Sequence, residues 1–122
     1  MLGDSITLTL GGTGGTDRVC TKVNQDNFGA VYLGRTSLDE IRIKVRHLKE
    51  NPKAGSEIVE RHEFYVTQTV YAAGDVPEKI RSHNMAIRSS ASDDQDLATD
   101  LSEAVTLWGS EANILKLFGW ES

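Results

Sequence analysis

The sequence predicts an α+β fold, a run of antiparallel strands followed by two helices that cover one sheet face. Three observations predict it. Apolar and polar residues alternate at a period of two through most of the first ninety residues; a glycine-rich reversal joins the first two such segments; and from Leu97 onward apolar residues recur at three and four.

Ser5-Ile6-Thr7-Leu8-Thr9-Leu10 alternates apolar with hydroxyl residues and reads as a half-buried strand. Gly11-Gly12-Thr13-Gly14-Gly15 supplies the positive φ values of a tight reversal. The second strand runs from Thr16 to about Asn24, with Val19, Thr21 and Val23 on one face and Arg18, Cys20 and Lys22 on the other. Asn24-Gln25-Asp26-Asn27 is turn chemistry, and Ala30 to Leu33 makes a short third strand ending at Gly34.

Glu40-Ile41-Arg42-Ile43-Lys44-Val45-Arg46-His47 is the most informative segment. Strict alternation places Arg42, Lys44 and Arg46 on one face, roughly 6–7 Å apart, and Ile41, Ile43 and Val45 on the other. Glu50-Asn51-Pro52-Lys53-Ala54-Gly55 reads as a loop. From Glu57 to Ala72 the pattern is strand-like but of mixed parity, which a bulge near His62 to Phe64 would explain. Ala73-Gly74-Asp75-Val76-Pro77 turns the chain into a last strand, Lys79 to Arg88, with Met85 and Ile87 opposite Asn84, Ala86 and Arg88.

Ser92-Asp93-Asp94-Gln95-Asp96 offers caps and acids suited to a helix N-terminus. Leu97, Leu101, Ala104, Val105 and Trp108 then mark one helix, which Gly109 ends. Ser110 starts a second, with Ile114, Leu117 and Phe118 on one side and Gly119 closing it. The chain divides into a hairpin (1–24), a sheet (29–89) and helices (93–119) of one domain.

The 122 residues suffice for one core and not for two with a linker. The single Cys20 has no internal disulfide partner, and no basic start precedes a long apolar run, so a reducing compartment and no signal peptide are expected. No apolar stretch approaches the ~20 residues of a membrane span, so no membrane partner is expected. The net charge of −5 argues against a polyanion partner, but its distribution does not. Residues 93–122 carry seven acids against Lys116, a net −6, whereas residues 1–92 carry +1.

Catalytic signals are weak. His47, His62 and His83 fall in expected strands without metal-ligand spacing, Cys20 has no partner base nearby in sequence, and the glycine run lacks the Lys and Ser/Thr of a phosphate loop. No catalytic residue, cofactor, metal or small-molecule substrate is assigned. The cation row is either an ordinary solvated sheet face or a phosphate-binding one, extended by Asn84 and Arg88. With few aromatics expected on that face, stacking platforms are not expected. The apolar helix pair covers its own sheet or is buried by a second copy.

The ordered set of Lys44-Val45-Arg46, Val66-Thr67-Gln68-Thr69-Val70, Pro77 and Arg81-Ser82-His83-Asn84-Met85 resembles the coat proteins of single-stranded RNA bacteriophages. Leu2-Gly3-Asp4-Ser5-Ile6-Thr7-Leu8, Gly11-Gly12, Val45-Arg46-His47 and Gly119-Trp120-Glu121-Ser122 are most similar to the Caulobacter-infecting branch. The resemblance spans essentially the whole chain and implies an N-terminal hairpin, a five-stranded antiparallel sheet and two helices packing across an obligate dimer. Dimers then tile an icosahedral shell, in a virion assembled in the bacterial host cytoplasm.

Carried over by strand match, the RNA-facing positions are Arg42, Lys44, Arg46, Arg61, Ser82, Asn84 and Arg88. They would face a single-stranded genome and an RNA hairpin whose binding represses translation. The dimer interface carries over to Leu97, Leu101, Val105, Trp108, Ile114 and Phe118. The inter-dimer loop carries over to Ala73, Gly74, Asp75, Val76 and Pro77. Ser82 stands where the coliphage coats stack a base on Tyr, and the loop is shorter, which implies hairpin recognition built differently. A divalent cation at subunit contacts is compatible with the loop acids, though their spacing does not specify one. Two other classes stay open on the residues: a small α+β enzyme or ligand-binding domain with a pocket between sheet and helices, and a cellular dimeric RNA-binding regulator.

Overall fold

In the computed structural model, which describes residues 2–50 and 53–120, six strands precede two helices. They are β1 (Ser5–Leu10), β2 (Thr16–Asp26), β3 (Gly29–Arg35), β4 (Asp39–Glu50), β5 (Val59–Val70), β6 (Lys79–Ser90), α1 (Gln95–Trp108) and α2 (Glu111–Phe118). The strands form one antiparallel meander in the order β1-β2-β3-β4-β5-β6. The hairpin is therefore not separate from a five-stranded sheet. β2 runs on past Asn24 and pairs with β3 from Thr21↔Leu33 to Asp26↔Gly29, so hairpin and body share six strands. In the expected loop after β4, Asn51 and Pro52 lie outside the described residues, as do Met1, Glu121 and Ser122; Ser56 N–H donates to the Lys53 carbonyl at 3.0 Å.

The reversal between β1 and β2 needs its glycines, since Gly11, Gly12 and Gly14 have φ of 89°, 75° and 83°. β4 carries the alternation read from sequence: Ile41, Ile43 and Val45 are buried, and Arg42, Lys44 and Arg46 are exposed. β4 and β5 pair without interruption from Asp39↔Val70 to Glu50↔Val59, so there is no bulge near His62 to Phe64. The mixed parity has another cause. Phe64 and Val66 face the core side with Val45 and Ile43, while Tyr65, between them, lies on the cation side opposite Lys44. The register shift in the sheet falls instead in β2, between Lys22 and Asn24.

Cys20, Tyr32, Ile41, Ile43 and Val45 form the core, with Ile6, Leu8, Ala30, Phe64 and Val66 packed against it. The hairpin leans over this face, and the Tyr32 hydroxyl donates to the Gly3 carbonyl at 2.9 Å. Gly34 makes room for the packing, because a Cβ there would stand 2.7 Å from the Val19 carbonyl oxygen and 3.0 Å from Cys20 Sγ. Burial pushes the Cys20 thiol pKa up, partly offset by the Arg18 charge.

One ion pair lies beside the core. Arg18 Nη1 donates to Asp39 Oδ2 at 2.9 Å and Nη2 sits 2.8 Å from Oδ1. Gln68 Nε2 donates to Oδ2 and Thr36 Oγ1 to Oδ1, both at 2.7 Å, joining β2, β4, β5 and the β3–β4 turn through one carboxylate. The Arg18 bond, then those from Gln68 and Thr36, hold the Asp39 carboxyl far below the usual range against the opposing effect of burial.

The helices end at the glycines read from sequence, and Ser110 precedes α2 without a side-chain capping bond. Asp94 caps α1 by accepting from Asp96 N–H at 2.8 Å, and Gly109 and Gly119 close the two helices. They do not cover their own sheet. α1 meets it chiefly at β6, and neither helix has a buried residue. An apolar stripe needs an apolar partner, and the monomer's core face is already occupied at its hairpin end.

Replacing Asp39 by Asn leaves the mostly buried Arg18 unpaired and is expected to cost about 3–5 kcal/mol in chemical denaturation at fixed protein concentration. Because the folded-state pKa of Asp39 is lowered, the gap from wild type stays constant above about pH 4 and narrows as pH falls from there toward that lowered value.

Candidate nucleic-acid interface

The sheet face opposite the core collects the predicted cations by register. Arg42 pairs with Thr67, Lys44 with Tyr65 and Arg46 with Glu63 between β4 and β5. Thr67 pairs in turn with Ser82, Tyr65 with Asn84 and Arg61 with Arg88 between β5 and β6. All seven RNA-facing positions expected from sequence, Arg42, Lys44, Arg46, Arg61, Ser82, Asn84 and Arg88, thus share one face. Arg61 joins them because β5 has no bulge to change its parity.

The same face carries carboxylates that sequence reading did not weigh. Glu40 Oε2 lies 3.3 Å from Arg35 Nε and its Oε1 3.4 Å from Arg42 Nη2. Glu63 pairs with Arg61 and Glu50 with Arg88. None of the ion pairs among the described residues involves Lys44 or Arg46, so these two present their charge with least competition. Period two was enough to find the basic members. The acidic ones become visible only once β4, β5 and β6 are set in register.

Tyr65 is the other residue sequence reading missed, since its neighbours Phe64 and Val66 disguise its parity. It is 38% exposed, with Lys44 and Asn84 as its cross-strand neighbours. Hydrogen bonding with Thr67, then Ser82, lowers its phenol pKa, and the Lys44 charge adds to the effect. A cleft of about 120 Å³ opens beside it, lined by Glu40, Arg42, Lys44, Tyr65, Thr67 and Thr69.

The apolar positions lie on the other side. Leu97, Leu101, Val105 and Phe118 are 63%, 69%, 62% and 78% exposed, and Trp108 and Ile114 are exposed as well. Between α1 and the core face of β5 and β6 is a gap of about 930 Å³ bounded by Met85, Ile87, Ala98, Ser102 and Thr106. Of the expected helix-facing set, only Met85 and Ile87 line the gap; Ile41, Ile43 and Val45 are instead buried in the core with Cys20 and Tyr32, under Ile6 and Leu8 of the hairpin. His62 and Glu60 reach the gap, and His62 Nδ1 lies 2.9 Å from His47 Nδ1. Ala73 to Pro77 forms a tight turn in which Ala73 and Val76 exchange backbone hydrogen bonds of 3.0 and 2.9 Å around Gly74, whose φ is 55°.

A sheet with one cationic face, an uncovered apolar face on the other side and helices carried beyond its edge has the design of a subunit, completed by association. Comparison with known proteins agrees. Residues 3–90 match the family model described as phage phiCb5, coat protein, and the chain belongs to that family. Its role is the structural one of a coat subunit, a component of the virion. No curated protein sequence matches it significantly. Among solved structures, it is similar to an unassembled virus coat protein dimer described as a bacteriophage RNA-binding dimer, at 17% identity and a TM-score of 0.49, over 97% of this chain and 94% of that one.

Thr67→Val is expected to move one transition of the tyrosinate absorbance titration upward, toward the ordinary value of about 10, because it removes the largest cause of the lowered Tyr65 pKa.

Proposed function

We propose that two copies of the chain form the building unit of the coat, that the units assemble into a closed icosahedral shell, and that the cation face binds single-stranded RNA inside it, without catalysis. The observation that carries this reading is the contrast between the two faces. Exposed Leu97, Leu101 and Val105 line a cleft of about 380 Å³ with Met85 and Ile87 of β6 on one side, and Lys44 and Arg46, in no ion pair among the described residues, lie on the other.

β6 is a twelve-residue strand with a free edge, a template for pairing with the same edge of a second copy. Edge pairing about a twofold axis continues the sheet and brings each copy's helices over its partner's uncovered core face. The gap under α1 is then the space that the partner's helices fill. The paired sheet doubles the cation face, and the acids from Asp93 to Glu111 lie on and beside the helices. The turn at Ala73 to Pro77 projects from the sheet where units would meet one another around the shell's axes. Binding of a specific RNA hairpin and repression of translation extend the same interface from packaging to regulation.

Negative-stain electron microscopy, with the 260/280 nm absorbance ratio before and after nuclease and high salt, tests the reading. Uniform shells holding nuclease-protected RNA are expected; small RNA-free particles would point to a dimeric regulator or a ligand-binding domain. Leu101→Asp is expected to give monomers by analytical ultracentrifugation, since pairing would bury an unpartnered charge. A native dimer from that variant would remove Leu101 from the interface. Replacing Arg42, Lys44 and Arg46 together by Ala is expected to reduce the log–log salt slope of RNA binding by about 2, at roughly 0.7 per lost phosphate contact.

A further inference from the structure

We infer that Tyr65 is a base-stacking platform, and that the cleft beside it takes one unpaired nucleobase while Arg42 and Lys44 take the adjoining phosphates. The inference rests on the proposed RNA interface and adds to it the means by which a single strand is distinguished from a duplex.

Four observations support it. Tyr65 is the aromatic residue of β5 on the cation face, and it stands apart from the core cluster of Cys20, Tyr32, Ile41, Ile43 and Val45. Its cross-strand neighbours are Lys44 and Asn84 and its neighbours along the strand on that face are Glu63 and Thr67, so no large apolar side chain among them covers the ring. The hydroxyl-bearing Thr67 and Ser82, paired with each other, stand one register step along the sheet from it. Finally, Tyr65 lines the cleft together with two cations, Arg42 and Lys44, and with Glu40, Thr67 and Thr69.

An exposed aromatic beside cations suits a nucleotide better than a free phosphate or an acidic peptide. The ring stacks on a base of any identity, the cations neutralise the backbone, and Asn84 and Ser82 can hydrogen-bond the base edge or the sugar. A duplex offers the phosphates but keeps its base faces stacked on one another, so Tyr65 contributes to single-strand binding alone.

The test uses purified protein dissociated to its soluble unit and two probes: a single-stranded oligouridine with one central 2-aminopurine, and an unlabelled blunt RNA duplex of equal length. Single-strand binding by wild type is expected to quench the 2-aminopurine fluorescence, and Tyr65→Phe to retain both quenching and affinity within about twofold. Tyr65→Leu, which keeps a strand-compatible side chain, is expected to lose the quenching and about tenfold or more in single-strand affinity. Its duplex affinity and salt slope should stay unchanged. If Tyr65→Leu binds and quenches as wild type does while the Arg42, Lys44 and Arg46 triple variant flattens the slope, stacking is overturned and the interface stands. If the triple variant leaves the slope unmoved, the interface itself is wrong and the stacking falls with it. Equal losses on single strand and duplex would also overturn the inference, since they would make Tyr65 a general support of the face.

Discussion

The alternation along β4 is the constraint on which the rest depends. Burial of Ile41, Ile43 and Val45 drives that strand into the centre of the core, and a period of two then leaves Arg42, Lys44 and Arg46 no direction but the opposite face. Neither face can be altered alone, because a slip of one residue would exchange them. The neighbouring strands reinforce this register. Tyr32 and Phe64 flank the aliphatics on one side, while Leu33 and Thr67 flank Arg42 on the other. The Asp39 carboxylate pins the start of β4 to β2 through Arg18 and to β5 through Gln68, so the register is held by charge as well as by packing.

Much of this was legible in the residues because it is local. The glycines of the hairpin, the cation row, the Asp94 cap and the Gly109 break each act within a few positions of themselves. Less legible were features created by pairing. Tyr65 reads as a core aromatic while it is weighed against Phe64 and Val66, and only the unbroken pairing with β4 shows that it faces Lys44. The mixed parity was real, but its cause was an outward aromatic and not an inserted residue. Glu63 and Glu50 likewise read as incidental acids until register sets them beside Arg61 and Arg88. The pairing of Arg18 with Asp39, 21 positions apart and on strands that are not adjacent, has no local signature.

Charge on the cation face is graded rather than uniform. Arg61 and Arg88 are each held by a carboxylate on the same face, and Arg42 shares Glu40 with Arg35, whereas no ion pair among the described residues involves Lys44 or Arg46. A face of this kind attracts a polyanion through its centre and restrains it at its margins. The carboxylates also limit self-repulsion among the cations, which a fully basic sheet would suffer most when two copies lie side by side. The charge with least competition is thereby concentrated on β4, the strand that supplies three of the five core residues.

Stability is distributed unevenly along the sheet. Every fully buried side chain among the described residues belongs to β2, β3 or β4, while β6 and the two helices contribute none. The molecule thus divides into a hairpin-side unit that can consolidate alone and an edge-side unit whose protection depends on mass action. Folding of the second unit becomes a function of concentration. A dilute chain would exchange the amides of β6 and α1 readily and offer them to proteases, and accumulation of further copies would close that window. Copy number, in such an arrangement, is read directly by the protein as structure.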